Sequence, residues 1–246
     1  MAHLTARAGE SKRYLGVNHH FASVSAVSTA HRPVQQSSFA CGAALKYAPA
    51  MTLVIYGDSR SGNCLKVKWT AQRRGVPFEW REVDVMTGAT RKPDYLALNP
   101  AGQVPVVILA DGRPLAQSNA IILHLAEGSN LIPQDAYARA KMLEWMFWEQ
   151  YSHEPTVAVA RFQMAFLGKR RDEVEPRLIE RGDAALARLE LGLEASSYLV
   201  GEQLTLADVA LVAYTRWAHE GGFDLQPYPK VRAWIDRLER DLNITD

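Results

Sequence analysis

The stretch NPAGQVP, Asn99 to Pro105, leads from a polar loop into the apolar run VVIL. Pro105 opens that run, and the first residue of a strand is a place where a sheet tolerates proline. An Asp111-Gly112 pair, typical of a tight hairpin turn, separates this run from a second one that ends in AQS. The helical pattern SNAIILHLAEG follows and stops at Gly128. The stretch therefore predicts a β-hairpin that begins at a proline and leads directly into a helix.

The segment before this stretch alternates between strand and helix patterns. TLVIY is a short apolar strand bounded by Gly57, and CLKVKWTAQRR has helical spacing up to a stop at Gly75 and Pro77. FEWREVDV predicts a second strand, and KPDYLALN predicts a second helix. The order strand, helix, strand, helix, strand, strand, helix needs a parallel crossover first and a hairpin second. It predicts a thioredoxin-like α/β domain over residues 51–130.

The remainder of the chain has almost no strand pattern. From about Ala138 onward the helical segments are AYARAKMLEWMFWEQYS, RDEVEPRLIERGDAALARLELGLEA, TLADVALVAYTRWAHEGG and YPKVRAWIDRLERDL, separated by Gly, Pro or Ser. We therefore predict an all-helical domain over residues 138–246. The spacing of Thr205 and Asp208 matches a capping box with Asp in place of Glu, and we assign it to folding.

Composition narrows the classes of function. The 246 residues are 48% hydrophobic and carry 28 Lys and Arg against 27 Asp and Glu, so no overall charge favours nucleic acid or an acidic membrane. Two cysteines, Cys41 and Cys64, suit a reducing compartment better than a disulfide scaffold. The sequence contains no P-loop, no HExxH motif and no Cys/His metal cluster. We expect a soluble protein that handles small molecules without a metal.

The first fifty residues differ from the rest. Residues 11–50 are rich in Ser, Ala and His, contain no acid and show no sustained period, so we predict a disordered extension over residues 1–50. A targeting leader would share the Ser and Ala bias, but arginines are few and an apolar h-region is missing. An upstream start codon before a native start at Met51 is the preferred explanation.

Three motifs together resemble the cytosolic glutathione S-transferase superfamily. They are NPAGQVP, AQSNAI (Ala116 to Ile121) and LTLADVALVAY (Leu204 to Tyr214), and the resemblance covers Met51 to Asp246. It implies a thioredoxin-like domain followed by an all-α domain, with glutathione as co-substrate and no metal. It also implies a cytoplasmic homodimer that transfers glutathione to a small electrophile, a detoxification reaction.

The resemblance assigns the glutathione-binding residues. The Val104-Pro105 bond is implied to be cis, which turns the backbone groups of Val104 towards the cysteinyl part of glutathione as if towards an added strand. Ser118 is implied to hold the γ-glutamyl carboxylate at a helix N-terminus. Gln117 stands where many relatives have Glu, so the attraction to the ligand's ammonium should be weaker. Gln103 is implied to reach the glycyl end.

The turn YGDSRSGNCLKV, Tyr56 to Val67, is where the resemblance implies the thiol-activating group. Alignment to the classes with a catalytic serine selects Ser61. Alignment to the class that uses a Thr and an Asn in this turn also selects Ser61, and it adds Asn63. A hydroxyl or amide donor at a helix N-terminus would favour the glutathione thiolate. Cys64 is the rival, because a thiol there could form a mixed disulfide with glutathione. The alternative for Cys64 is a small buried residue.

The second substrate is expected between the two domains. Trp148 and Tyr151 share helical spacing in EWMFWEQYSHEP and are the candidates for the electrophile pocket, with Arg161 and His153 as weaker ones. The predicted activity is glutathione transfer to an electrophile. The alternatives are a glutathione-dependent disulfide reductase and a binding module without catalysis.

Overall fold

The computed structural model describes residues 52–245, and these lie in one compact unit. The predictions for residues 1–50, for Cys41 and for a start at Met51 fall outside the described residues. No helix within residues 52–245 is both long enough and apolar enough to cross a membrane.

The sheet has four strands in the order β2-β1-β3-β4. Their bounds are β1 Leu53–Gly57, β2 Phe78–Glu82, β3 Val106–Ile108 and β4 Pro114–Ala116. β1 pairs with β2 in parallel, whereas β3 is antiparallel to both β1 and β4. The parallel crossover and the later hairpin are therefore confirmed. Gly112, in the predicted hairpin turn, has a φ of 84°, a conformation that glycine adopts without strain.

Three helices complete the α/β domain. They are α1 Gly62–Arg73, α2 Pro93–Leu98 and α3 Ser118–Ala126, and short 3₁₀ turns at Val85–Thr87 and Ala89–Arg91 precede α2. Helix α1 is buried on more than one side, since it packs against α3 and against the helical domain. It also buries the whole side chain of Lys66. Gln72, predicted to share a side with Leu65 and Trp69, is exposed.

The helical domain begins with α4 Ala136–Trp148, and other helical structure carries the chain past Ser152, where the predicted helix ends. The chain runs on as a π-helix over Glu149–Ala158, a short α5 at Val159–Arg161 and a second π-helix over Phe162–Phe166. Pro155 lies inside this run. A π-helix accommodates an irregular hydrogen-bond ladder, so the proline that normally breaks an α-helix is tolerated here.

Three further α-helices follow, and two of them are shorter than the sequence predicts. They are α6 Pro176–Gly192, α7 Leu206–Thr215 and α8 Pro229–Asp241. The segment predicted as helical from Arg171 first makes a 3₁₀ turn, and α6 starts only at Pro176, the position where a helix accepts proline. After Thr215, α7 gives way to a 3₁₀ turn at Ala218–Gly221.

The predicted capping box at the start of α7 is confirmed. Asp208 is fully buried, and its Oδ2 accepts hydrogen bonds from the Thr205 N–H at 2.9 Å and the Thr205 hydroxyl at 3.0 Å. Its Oδ1 accepts from the Leu199 N–H at 2.9 Å and from Trp234 Nε1 at 3.0 Å. The acid thus ties α7 to α8 as well as capping it.

The larger of two hydrophobic clusters of buried residues spans both halves of the described chain. It contains residues of the sheet and of α1 and α3 together with residues of α4, α6, α7 and α8. Every residue of α7 is buried, and α7 packs against α1. A thioredoxin-like domain and an all-helical domain are therefore present as predicted, and they share one core. The limits 51–130 and 138–246 stay predictions.

Candidate active site

Two neighbouring cavities open between the sheet side and the helical side of the molecule. The first, here called the polar cavity, has a volume of about 700 Å³ and is lined by Asn63, Arg91, Gln103, Val104, Pro105, Gln117, Ser118, Gln150, Glu154 and Phe162, among others. The second, the apolar cavity, has about 120 Å³ and is lined by Asp58, Arg60, Ser61, Val85, Val104, Ala158, Arg161, Phe162, Phe166 and Tyr214. Val85, Val104 and Phe162 line both, so the two cavities adjoin.

The loop before β3 supplies backbone to the polar cavity. The Val104-Pro105 peptide bond is cis, as expected. The carbonyl oxygen of Gln103 accepts hydrogen bonds from Asn99 Nδ2 at 2.8 Å and from the Tyr95 hydroxyl at 2.9 Å, which holds the loop from behind. Within residues 52–245, neither the N–H nor the C=O of Val104 has a backbone partner. Both groups are therefore available to an extended peptide ligand.

The N-terminus of α3 forms another wall of the polar cavity. Ser118 is the first residue of α3, is buried, and donates its hydroxyl to Asn63 Oδ1 at 3.1 Å. Gln117, just before it, has φ 71° and ψ 110°, an unusual backbone conformation for a residue other than glycine. Strained backbone of this kind clusters at binding sites. The free N–H groups of this helix end suit a carboxylate.

Ser61 lies at the N-terminus of α1 and faces the apolar cavity. Its carbonyl accepts the N–H groups of Cys64 and Leu65, both at 3.0 Å, yet its hydroxyl caps no backbone N–H. The hydroxyl instead lies 3.5 Å from the Tyr214 hydroxyl. An N-cap serine normally bonds a backbone N–H of the helix it begins, whereas the neighbours of this hydroxyl are the Tyr214 hydroxyl and the Cys64 thiol.

Gly62 allows α1 to approach α7 closely at this point. A Cβ atom on residue 62 would lie 2.9 Å from the Ala213 carbonyl oxygen and 3.0 Å from the Tyr214 ring. Only glycine therefore fits at this contact, which brings Ser61 and Tyr214 together.

Asn63 is the centre of a polar network below the polar cavity. Its Oδ1 accepts from Lys66 Nζ at 2.7 Å as well as from Ser118, and its Nδ2 donates to Glu154 Oε1 at 3.3 Å. Burial raises the pKa of the Glu154 carboxyl, and the neighbouring Glu149 raises it further. The structure thus brings Asn63, Ser118 and an unpredicted acid together on one wall.

Two family models and several known proteins match this chain. The family model described as glutathione S-transferase, N-terminal domain, matches residues 60–127, and the model for the C-terminal domain matches residues 150–241. Glutathione S-transferase 3 of Zea mays is 32% identical over 198 residues, which cover 76% of this chain and 88% of that protein. The chain belongs to the glutathione S-transferase family.

Solved structures of other glutathione S-transferases share the fold. One from Pseudomonas fluorescens Pf-5 is 46% identical with a TM-score of 0.74, and the match covers 76% of this chain and 94% of that one. A glutathione transferase homologue from Sulfitobacter, solved with bound glutathione, is 25% identical with a TM-score of 0.66. The match covers 77% of this chain and 93% of the homologue.

Cys64 of this glutathione S-transferase family member lies in the interior. Its side chain is fully buried, and it lines neither of the two cavities. Burial raises the pKa of its thiol to about 12, although a hydrogen bond with Ser61 acts in the opposite direction. A buried, protonated thiol is inert, so these observations favour the interpretation as a small core residue.

The aromatic candidates for the second-substrate pocket lie elsewhere. Trp148 packs edge-on against Trp145 with ring centres 5.3 Å apart, and Tyr151 is 81% exposed. Neither lines the polar or the apolar cavity. The rings that do face the transferase cleft are Phe162, Phe166 and Tyr214. The spacing of four between the two phenylalanines is the signal that could have indicated a shared face.

The two weaker candidates have structural partners. Arg161 is buried, with its guanidinium 4.0 Å from the centre of the Trp217 ring. It donates to Glu220 Oε2 and to the Arg60 carbonyl, each at 2.7 Å, so it supports the turn before Ser61.

His153 is fully buried with Nε2 3.0 Å from the Thr215 hydroxyl. Burial lowers its pKa to about 4, so the imidazole is neutral near pH 7. It lines neither cavity.

Proposed function

We propose that this chain is a glutathione transferase that activates the glutathione thiol with Ser61 and directs it at a small electrophile. The observation that carries the proposal is the position of the Ser61 hydroxyl. It makes no cap bond to its own helix and faces the apolar cavity, next to a polar cavity that shares Val104 with it. The family membership, and a homologue solved with bound glutathione, support the same activity.

The residues that line the polar cavity favour one orientation of the glutathione tripeptide. The cysteinyl residue would pair with the free backbone groups of Val104, and the γ-glutamyl carboxylate would meet Ser118 and the N–H groups of α3. The glycyl end would then lie towards Gln103 and Arg91, which both line the same cavity. A volume of about 700 Å³ is within the ordinary range for such ligands.

The thiol would lie where the two cavities meet, beside Ser61. An unperturbed thiol ionises near ~8.5, and lowering that pKa by about two units requires about 2.7 kcal/mol. A charge-assisted hydrogen bond from the hydroxyl and the N-terminal dipole of α1 can supply this amount together. Ionisation of the thiol releases its proton to solvent. The thiolate sulfur then forms the bond to the electrophilic carbon while the bond from that carbon to its leaving group breaks, and the leaving group departs with that electron pair. Ser61 keeps its own proton and forms no covalent intermediate.

The electrophile would occupy the apolar cavity. Phe162, Phe166 and Tyr214 take the place that the sequence assigned to Trp148 and Tyr151. Homodimer formation, a cytoplasmic location and a role in detoxification extend the proposal by analogy with the family.

An ultraviolet titration of the thiolate of bound glutathione tests the proposal. We expect the bound thiol of the wild type to ionise about two pKa units below the free thiol, and Ser61→Ala to remove about one unit of that shift. Ser59→Ala is the matched control, because Ser59 is exposed and bonds Glu82. A wild type that does not bind glutathione would instead identify a binding module without catalysis. A shift that Ser61→Ala leaves unchanged would transfer the role to Asn63 or to the helix end.

A further inference from the structure

Lys66 and Glu149 form an ion pair in the interior beneath the polar cavity. Lys66 Nζ lies 2.8 Å from Glu149 Oε1, and both side chains are completely buried. A buried ion pair loses so much hydration that well-packed apolar residues are often as stabilising or more so. Stability alone therefore does not explain the ion pair, and its further hydrogen bonds indicate a second role.

Each end of the ion pair holds a residue at the start of a site helix. Lys66 Nζ donates to Asn63 Oδ1 at 2.7 Å, one turn earlier in α1. Glu149 Oε2 accepts from Asn119 Nδ2 at 3.2 Å, in the first turn of α3. The pair thus links the end of α4 to the N-termini of α1 and α3, which form two walls of the cleft.

The ion pair also determines which way the Asn63 amide points. An amide has one oxygen that accepts and one nitrogen that donates, and the hydrogen-bond network decides between the two orientations. Lys66 and Ser118 both donate to Asn63 Oδ1, so Nδ2 is the atom turned towards Glu154 and the polar cavity. When the Ser118 hydroxyl turns to a ligand carboxylate, Lys66 still holds the amide oxygen.

We propose that Lys66, held by Glu149, is a positioning residue that makes Asn63 present an N–H donor to bound glutathione. The proposal rests on the function proposed above. An N–H near the sulfur favours the thiolate, whereas a flipped amide would present oxygen and disfavour it. The lysine charge on Oδ1 further polarises the amide and strengthens its N–H as a donor.

The test replaces the ion pair by neutral side chains and measures the thiol pKa of bound glutathione. The variants are K66M/E149Q, N63A and the combination of all three substitutions. We expect K66M/E149Q to raise the bound thiol pKa by about one unit, a tenfold loss of thiolate below that pKa. In the N63A background the same replacement should add nothing, because the effect passes through Asn63.

Two controls keep this result specific. K141M/E144Q makes the same chemical change at a partly exposed ion pair in α4 and should leave the thiol pKa unchanged. K66Q/E149Q replaces the ion pair by two amides and takes over the test if the methionine prevents folding. An unchanged thiol pKa in K66M/E149Q, or an equal rise with and without Asn63, would overturn the proposal.

A measurement without ligand separates this proposal from the proposed function. The side-chain amide signals of Asn63, identified in a ¹⁵N–¹H spectrum by their loss in N63A, report on the amide directly. We expect them to move towards free-asparagine positions in K66M/E149Q and to stay in place in K141M/E144Q. Unmoved signals in K66M/E149Q would contradict the positioning role even in a protein that does not bind glutathione.

Discussion

The polar and the apolar cavity adjoin at Val85, Val104 and Phe162 but are built from different kinds of structure. The polar cavity is formed largely by a loop and by helix N-termini, whose backbone groups and short polar side chains suit a charged peptide. Half of the residues that line the apolar cavity come from the helical run after Pro155 and from Tyr214 of α7, and the other half come from the turn before α1 and from Val85 and Val104. We therefore expect the polar cavity to select its ligand by hydrogen bonds and charge, and the apolar cavity to select its ligand mainly by the fit of an apolar body.

The largest expected effect that distinguishes the cavities comes from Ser118→Ala. We expect the KM for glutathione to rise about tenfold or more, because a hydrogen bond to a charged group contributes about 1.5–3 kcal/mol. The KM for the electrophile should stay unchanged, since Ser118 does not line the apolar cavity. Steady-state kinetics with each substrate varied in turn checks this. Equal changes in both KM values would show that the two cavities act as one site.

Phe166→Ala is the reverse substitution, on the apolar side. The ring is partly buried, so we expect the KM for an apolar electrophile to rise about fivefold, or ~1 kcal/mol, from lost apolar contact. Glutathione affinity, measured by calorimetry, should not change. Phe147→Ala removes a ring that is 72% exposed and outside both cavities, and it serves as the control. A weaker affinity for glutathione in Phe166→Ala would contradict the division between the cavities.

A smaller, pH-dependent effect is expected at Glu154, the acid among the residues that line the polar cavity. Its pKa is raised above the usual 4.5, so the carboxylate loses its charge as the pH falls towards that higher value. We expect glutathione affinity to fall by about threefold over this range, within the ~0.2–1 kcal/mol of a partly exposed ion pair with the ligand's ammonium.

Glu154→Gln should remove this pH dependence. Affinity at several pH values from 7 down to 5 measures it, with the exposed Glu144→Gln as the control for a lost charge. A pH dependence that persists in Glu154→Gln would assign it to another group.

The smallest effect on activity is expected for Cys64→Ala, behind both cavities. The thiol is buried and its pKa is about 12, so transfer and disulfide reduction by the protein should proceed at the wild-type rate. Chemical denaturation should show a loss of only about 1 kcal/mol for the smaller buried side chain. Loss of disulfide reduction in this variant would instead support a mechanism in which Cys64 forms a mixed disulfide with glutathione.

The sequence predicts well what is determined by neighbouring residues. The stops at Gly75 and Gly128, the Asp111-Gly112 turn and the capping box of Thr205 and Asp208 are local signals, and each has its predicted place in the fold. The loop before β3 and the start of α3 also have recognisable residue patterns, whereas their assignment to a glutathione site came from the family resemblance.

What the sequence does not predict depends on packing between distant segments. A lysine is rarely fully buried without a partner, and the partner of Lys66 is Glu149, 83 positions later in the chain. Phe162 and Phe166 follow a proline that suggests the end of a helix, whereas the chain continues as a π-helix. Trp148 and Tyr151 have suitable chemistry, but Trp148 packs against Trp145, Tyr151 is exposed, and neither lines a cavity.

The contact at Gly62 has a consequence for recombination and engineering. Because residue 62 has room for hydrogen only, α1 of one parent and α7 of another will fit only if their surfaces match at Ala213 and Tyr214. A chimera that joins the α/β half of one transferase to the helical half of a relative therefore separates two surfaces that fit each other. The two halves are not independent modules. Libraries that vary the electrophile preference should begin at Phe166 and keep the contact between Gly62 and α7 unchanged.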